Sequence, residues 1–231
     1  MIRLAFAILA TCLGTLLFAP IGIVAWPFRQ DGEVGFFVAR LWAKTILAAA
    51  GVQVIPELLR PLPPGPVVFV SNHVSALDIP ILFAGLPRSF RIVYKSSLLY
   101  VPVMGLFLAA ARNVSIDRSR AFSAKRSLSA AARRIHDGVS VALFAEGTRS
   151  GPDAAMAPFK RGSFKLALEA AVPVVPVSLI GVNTVVGRHR ITPGTVRLRI
   201  HEAIGGDDDS QTADTLAGQA EAIIRAEVET R

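Results

Sequence analysis

The feature that most constrains the fold of this 231-residue chain is an alternation of short and long apolar segments after residue 65. The short segments are rich in β-branched residues and bounded by Gly, Pro or polar residues, which is typical of buried strands. Strands are predicted at residues 66–70, 91–95, 113–117, 139–145, 172–180 and 195–201. Helices are predicted at residues 96–112, with an interruption at Pro102, and at residues 121–136, 162–171 and 209–229. This alternation is typical of an α/β domain, whose functional loops lie at strand ends.

The N-terminus has a different character, and we expect it to associate with a membrane. Residues 4–19 form an apolar segment about 24 Å long as a helix, shorter than the ~30 Å hydrocarbon core of a bilayer. Continuing to residue 26 gives the length of a span, although we expect Pro20 to kink it. A second, amphipathic segment follows at residues 35–52. A cleaved signal peptide is poorly supported, whereas a single membrane-spanning anchor and a helix pair dipping into one leaflet both fit.

The domain organisation follows from the Pro-rich stretch at residues 61–66, which is predicted to be a stiff linker. We expect residues 1–60 to form an N-terminal, membrane-associated helical module. Residues 61–231 are expected to form the α/β domain, closed by a C-terminal helix. The single cysteine, Cys12, lies in the first apolar segment and cannot form an intrachain disulfide, which fits a reducing compartment.

The net charge of +8 is concentrated in the middle of the chain. Residues 88–165 contain 14 Lys and Arg but only 4 Asp and Glu. Such a surplus could serve a nucleic acid, an anionic membrane surface or acidic substrates. Nucleic-acid modules interleave basic residues with aromatic platforms, whereas the aromatic residues of this region lie mostly in apolar runs. We therefore expect no nucleic-acid partner.

The most informative polar pair is His73 and Asp78, which stand five residues apart just after the predicted strand at residues 66–70. From this position Asp78 can turn back onto the imidazole. A histidine held by a carboxylate has a fixed tautomer and a stabilised imidazolium, which suits a general base acting on a hydroxyl. Taken alone, the spacing fits equally well an aspartate that caps a helix beside an ordinary polar loop.

Further polar residues follow other predicted strands, with chemistry suited to a phosphate. Gly147 permits close backbone approach, Thr148 can donate a hydroxyl hydrogen bond, and Arg149 offers a planar fork. Arg118 could add a second cation, and Glu146 could orient an arginine or bind a substrate hydroxyl. Ordinary surface ion pairs would explain any one of these segments. Their recurrence at strand ends favours a common site.

In these residues the chain resembles the membrane-associated glycerolipid acyltransferases, specifically the bacterial 1-acyl-glycerol-3-phosphate acyltransferases. The family's motifs are an Asn-His pair followed by four residues and Asp, a Lys-x-Ser-Leu-Leu segment, an Ile-Asp-Arg and a Phe-Pro-Glu-Gly-Thr-Arg-Ser. They match Asn72, His73 and Asp78, then residues 95–105, 116–118 and 144–150, with Ala145 where proline is usual. The match spans about residues 65–180 in the family's order. It implies a mixed, mostly parallel sheet flanked by helices.

The resemblance also implies an activity, transfer of a fatty acyl group to the sn-2 hydroxyl of lysophosphatidic acid, giving phosphatidic acid. The donor would be acyl-CoA or acyl-carrier protein as a co-substrate, with no metal and no bound cofactor. His73 would act as the base and Asp78 would orient it. The substrate-binding residues would be Asn72, Lys95, Arg118, Glu146, Gly147, Thr148 and Arg149. The apolar residues 98–108 could line an acyl-chain groove, or form a buried core helix.

Three alternatives stay open at this point. The same chemistry could act on another acceptor, such as lyso-ornithine lipid or glycerol 3-phosphate. A membrane-anchored hydrolase could use the His73–Asp78 pair on water. A non-catalytic protein could hold anionic headgroups at a membrane phospholipid surface, although binding alone needs no general base. Location at the cytoplasmic face of the inner membrane is expected from where acyl donors are found.

Overall fold

A mixed seven-stranded sheet organises the molecule. The computed structural model of the chain describes residues 2–28, 31–116, 121–206 and 211–229. Its sheet contains β1 (Val52–Leu58), β2 (Val68–Ser71), β3 (Arg91–Lys95), β4 (Val114–Ile116), β5 (Val141–Phe144), β6 (Val174–Ile180) and β9 (Gly194–Ile200). The short strands β7 (Val186–Gly187) and β8 (Arg190–Ile191) pair separately as a hairpin. The helices are α1 (Ile2–Ala25), α2 (Glu33–Ala50), α3 (Asp78–Gly85), α4 (Met104–Ala110), α5 (Ala121–His136), α6 (Gly162–Glu169), α7 (Val182–Val185) and α8 (Ala213–Val228).

The strands lie in the order β1-β9-β6-β2-β5-β3-β4, and β2 occupies the centre. All neighbours pair in parallel except β6 and β9, which are antiparallel. The carboxyl ends of β2, β3 and β5 therefore meet at one edge, where a ligand crevice is expected. The prediction of a mixed, mostly parallel sheet flanked by helices is confirmed.

The central strand β2 is buried on both faces, which explains its continuous apolar sequence. Phe69 faces the core layer that contains α2 and α3. Val68 and Val70 face the other layer, which contains α5, α6 and α8. Because both faces are covered, the loop that leaves the end of β2 starts from a rigid position.

The first apolar segment forms one long helix. Pro20, at which a kink is expected, lies inside α1, which continues to Ala25. Proline removes one backbone donor, and the packing of α1 holds the helix across that gap: Ala19 and Gly22 are buried, and Gly22 lies against Phe107 of α4. With a mean hydropathy of 2.2 and most of its surface outside the core, α1 is long and apolar enough to cross a membrane.

Strand β1 was not predicted from the sequence. It falls within residues 1–60, yet it pairs in parallel with β9 along its whole length and forms one edge of the sheet. A proline and a glutamate inside the strand, Pro56 and Glu57, obscure the strand pattern. Both are tolerated because β1 is an edge strand with a half-exposed pattern.

The segment after β3 breaks at Pro102, as predicted. A 3-10 helix, Ser96–Tyr100, is followed by α4, and the Met104 N–H reaches back to the Pro102 carbonyl at 2.6 Å. Val103, between them, has φ of 63° and ψ of −54°, a conformation that non-glycine residues rarely adopt. Gly105 packs directly on the Leu99 backbone, where a side chain would clash. The 3-10 helix is therefore folded tightly against α4.

Candidate active site

His73 follows the carboxyl end of β2, and its side chain contacts Asp78, the first residue of α3. The His73 Nδ1 lies 2.7 Å from the Asp78 Oδ2, so the predicted contact is present. The same oxygen accepts hydrogen bonds from the backbone N–H groups of Val74 at 2.7 Å and Ser75 at 2.8 Å. Asp78 is fully buried, and these donors compensate the cost of burying its carboxylate.

This arrangement selects the tautomer of the imidazole. A carboxylate oxygen accepts hydrogen bonds, so the His73 Nδ1 must carry the proton. In the neutral ring the Nε2 then has a lone pair that can accept a proton. The ring also stacks on Phe144, with the centroids 3.7 Å apart and the planes inclined by 8°. The imidazole is thus fixed in both orientation and tautomer.

The backbone of His73 is held from both sides by the loop that follows β5. The His73 N–H donates to the Glu146 Oε1 at 2.6 Å. The His73 carbonyl accepts from the backbone N–H of Ser150 at 2.9 Å and from the Ser150 hydroxyl at 3.1 Å. β2 and β5 pair in register, with Ser71 opposite Phe144, which brings the two loops together.

Glu146, which is predicted to bind the substrate, is buried and held by the backbone. Its carboxylate is 1% exposed and accepts a second backbone hydrogen bond, from the Ala157 N–H to Oε2 at 2.9 Å. Burial raises the pKa of Glu146, and the N–H groups of His73 and Ala157 oppose that shift. Each oxygen of this carboxylate therefore accepts a hydrogen bond from the backbone.

Asn72 is likewise engaged by the backbone. Its Nδ2 donates to the Leu179 carbonyl at 3.2 Å, and its Oδ1 accepts from the Leu179 N–H at 2.9 Å. This paired contact joins the end of β2 to β6, and the side chain is buried. The two residues of the Asn-His motif thus play distinct structural parts: Asn72 anchors the loop and His73 faces the cavity.

The remaining predicted residues border a cavity of about 610 Å³. His73, Lys95, Gly147, Thr148 and Arg149 all line it. The side chains of Lys95, Thr148 and Arg149 are exposed, and Gly147 has a positive φ of 72°, which a side chain would strain. Arg118 lies outside the residues that the structure describes. The cavity therefore has one polar, cationic border beside the imidazole.

The rest of the cavity wall is mostly apolar, with Asn113 and Thr15 as polar exceptions. Part of it comes from the N-terminal helices, for which only a membrane role is predicted from the sequence. The residues of the 96–112 segment that line it are Leu98, Met104, Phe107 and Leu108. The N-terminal helices contribute Thr15, Phe18, Ala19, Val38, Ala39 and Trp42. The Trp42 Nε1–H donates to the Thr15 hydroxyl at 3.2 Å, which joins α1 to α2 along this wall. The signal in the sequence that could have indicated this role is one tryptophan and one threonine within the apolar helices.

Two further residues of this site lie within the motif at residues 144–150, but no role is predicted for them from the sequence. Phe144 stacks on the imidazole and Ser150 holds the His73 backbone. The in-register pairing of β2 with β5 is what brings them to His73. The register between two strands cannot be read directly from a sequence. These contacts could therefore be identified only once the fold was known.

Comparison with known proteins identifies the family of this chain. A family model described as Acyltransferase matches residues 52–180. The 1-acyl-sn-glycerol-3-phosphate acyltransferase of Haemophilus influenzae is 30% identical over 194 residues, covering 82% of this chain and 78% of that protein. The crystal structure of the 1-acyl-sn-glycerophosphate acyltransferase PlsC from Thermotoga maritima superposes with a TM-score of 0.76 at 26% identity, covering 98% and 96% of the two chains. The chain belongs to the acyltransferase family, which confirms the resemblance drawn from its motifs.

Other relatives are longer than this chain. The 1-acyl-sn-glycerol-3-phosphate acyltransferase of Chlamydomonas reinhardtii is 33% identical over 209 residues, which cover 89% of this chain but 62% of the algal protein. The chain spans 55% of the chloroplastic relative from Brassica napus and 54% of that from Arabidopsis thaliana.

Proposed function

We propose that the protein transfers a fatty acyl group from acyl-CoA or acyl-carrier protein to the sn-2 hydroxyl of 1-acyl-glycerol 3-phosphate. The product is phosphatidic acid, for phospholipid synthesis. The observation that carries this proposal is the 2.7 Å contact between His73 and Asp78 on the wall of a largely apolar cavity with a cationic border. The names of the Haemophilus and Thermotoga relatives support the same acceptor.

In the proposed reaction His73 is the general base. Its Nε2 takes the proton of the acceptor hydroxyl as the hydroxyl oxygen attacks the thioester carbonyl carbon. Asp78 stabilises the imidazolium that forms. The tetrahedral intermediate then collapses, the carbon–sulfur bond breaks, and the thiolate takes the proton from His73. Direct transfer requires no acyl-enzyme, which fits the position of Cys12, exposed on α1 and not among the residues that line the cavity.

The phosphate of the acceptor is proposed to bind at the cationic border. Arg149 offers two parallel N–H donors to phosphate oxygens, Thr148 a hydroxyl, and Lys95 a further positive charge. Arg118 is proposed to join them on the strength of the motif alone. The acyl chains are proposed to lie along the apolar wall formed by α1, α2 and α4.

Membrane association is proposed to deliver the lipid acceptor. α1 carries exposed apolar residues along its length, and the 3-10 helix Ser96–Tyr100, which packs against α4, adds exposed Leu99 and Tyr100. We place the protein at the cytoplasmic face of the inner membrane, because acyl donors are made in the cytoplasm. The basic middle of the chain suits an anionic phospholipid surface.

The test is acyl transfer by purified protein in lipid vesicles, with oleoyl-CoA or oleoyl-carrier protein and lysophosphatidate. His73→Ala is expected to lower kcat by about 10²- to 10⁴-fold, because a general base supplies acceleration of that order. The matched control is His136→Ala, an exposed histidine at the end of α5, with kcat unchanged. Arg149→Gln is expected to raise the KM for lysophosphatidate, whereas Arg188→Gln, an exposed arginine in the β7–β8 hairpin, leaves it unchanged.

Two outcomes would count against the proposal. Full activity in His73→Ala would show that His73 is not the general base. No phosphatidic acid from the unaltered protein with either donor would remove lysophosphatidate as acceptor, and activity on lyso-ornithine lipid or another lysolipid in the same assay would then redefine it.

A further inference from the structure

A single loop holds both peptide groups of the proposed base. Glu146 accepts the N–H of His73 at 2.6 Å, and Ser150 donates two hydrogen bonds to the His73 carbonyl. Between these two residues lie Gly147, Thr148 and Arg149, which border the cavity. The ends of the loop thus contact the base, and its centre faces the region proposed for the phosphate.

Glu146 itself does not line the main cavity. It borders a separate small cavity of about 70 Å³, together with Asn72 and Ser150 among others. Its Oε1 is occupied by His73 and its Oε2 by Ala157, so the carboxylate bridges two loop segments. Glu146 is 1% exposed and does not line the main cavity, so a substrate hydroxyl held in that cavity does not reach its carboxylate.

We propose that Glu146 is a positioning residue that fixes the backbone of His73, assisted by Ser150, and that it is not a ligand of the substrate. This rests on the proposed acyl transfer for its kinetic consequences. The side chain of His73 already has its orientation set by Asp78 and Phe144. Glu146 fixes the position of the backbone from which that side chain extends. Base position and phosphate binding are consequently carried by one five-residue loop.

Glu146→Gln tests the inference most directly. The amide retains one acceptor oxygen but turns an NH₂ group toward the second backbone N–H, so one of the two contacts is lost. We expect kcat to fall by about 100-fold, the effect of a misplaced catalytic group, with the KM for lysophosphatidate nearly unchanged. Ser150→Ala removes only the hydroxyl contact and keeps the backbone one. It is expected to lower kcat by about 3- to 10-fold, again without a change in KM.

The matched control is Glu221→Gln. Glu221, on α8, also accepts a backbone hydrogen bond, from Phe159 at 2.8 Å, but lies outside the site. We expect it to lower the melting temperature with kcat unchanged. A loss of kcat in Glu146→Gln at a melting temperature close to that of Glu221→Gln then reflects the position of His73, because general loss of stability is matched.

A second readout does not depend on turnover. In protein labelled with ¹⁵N at histidine, the Nδ1–H proton of His73, held by Asp78, gives a resonance identified by its loss in His73→Gln. Glu146→Gln is expected to shift or broaden this resonance, and Glu221→Gln to leave it unchanged. A raised KM with kcat preserved, or an unchanged His73 resonance, would overturn the inference. If the unaltered protein forms no phosphatidic acid, the proposed function is rejected instead. The effect of Glu146→Gln on the His73 resonance would still test the positioning role.

Discussion

At the scale of single residues, Asp78 allows its charge to be tested apart from its shape. Asp78→Asn keeps an oxygen that can accept from His73, Val74 and Ser75, and its new NH₂ group faces the Ser75 hydroxyl, 3.4 Å from Oδ1. The fold and the tautomer are preserved while the negative charge is lost. We expect kcat to fall by about 10²- to 10⁴-fold, because the imidazolium is no longer stabilised.

The measurement for Asp78→Asn is the same acyl-transfer assay, accompanied by circular dichroism and a melting curve. A variant that folds normally and keeps its kcat would show that the carboxylate only orients the ring. A variant that does not fold would move the comparison to Ser75→Ala, which perturbs the same carboxylate more gently.

What the sequence could predict at this scale depended on distance along the chain. His73 and Asp78 lie five residues apart, so their contact could be predicted once the spacing was combined with the motifs that follow it. The hydrogen-bond partners of Asn72 and Glu146 could not be predicted, because they are backbone groups, which do not depend on residue type. Residue type indicates that a carboxylate needs donors, but not whether a substrate or the chain itself supplies them.

At the scale of secondary structure, an ion-pair cluster joins the edge strand β1 to the adjacent strand β9. Glu57 on β1 accepts from Arg197 at 2.5 Å and from Arg199 at 2.9 Å, both on β9. The hydrogen bond from Arg197 is the main cause that lowers the pKa of Glu57 from 4.5 to about 2, with a smaller contribution from Arg199 and against the effect of burial.

This cluster gives a pH-dependent contribution to stability. The folded-state pKa of Glu57 is below its unfolded value, so the contribution is fully present above pH 4.5 and is lost as the pH falls toward 2. We expect Glu57→Gln to lower the melting temperature at pH 7 by a few degrees, roughly 2–4 °C for a chain of this size. The difference from the unaltered protein should shrink with added salt and disappear near pH 2, as measured by calorimetry across that range. An equal difference at both ends of the range would exclude the ion pairs as its cause.

The elements that the sequence predicted well were those with one dominant physical signal. The strands at the centre of the sheet are uniformly apolar, and α5 is amphipathic. β1 was missed because Pro56 and Glu57 break its pattern. Its pairing with β9, a tertiary contact, overrides the local preference.

At the scale of the whole molecule, many of the exposed apolar residues lie on α1, and others lie on the 3-10 helix and on α4. α1 packs against α4, and α4 packs against the 3-10 helix. Tyr100 is 88% exposed and Leu106 is 65% exposed, although both are large and apolar in character. Exposed patches of this kind mark interaction surfaces.

We expect the double variant Tyr100→Glu, Leu106→Glu to bind phosphatidylglycerol-containing vesicles roughly tenfold more weakly, through lost apolar burial and repulsion from anionic lipid. Vesicle sedimentation measures the affinity. The control is Leu168→Glu, an exposed leucine on α6, which packs on the opposite face of the sheet. Equal loss in both variants would mean that added negative charge alone weakens binding.

The central position of β2 has an evolutionary consequence. His73 is attached to the strand with neighbours on both sides and helices on both faces, where few substitutions are tolerated. The walls that face the rest of the cavity come from peripheral helices and loops, where changes are absorbed easily. Under the proposed acyl transfer, substitutions at the periphery are therefore expected to change the lipid preference while leaving the position of the proposed base unaltered.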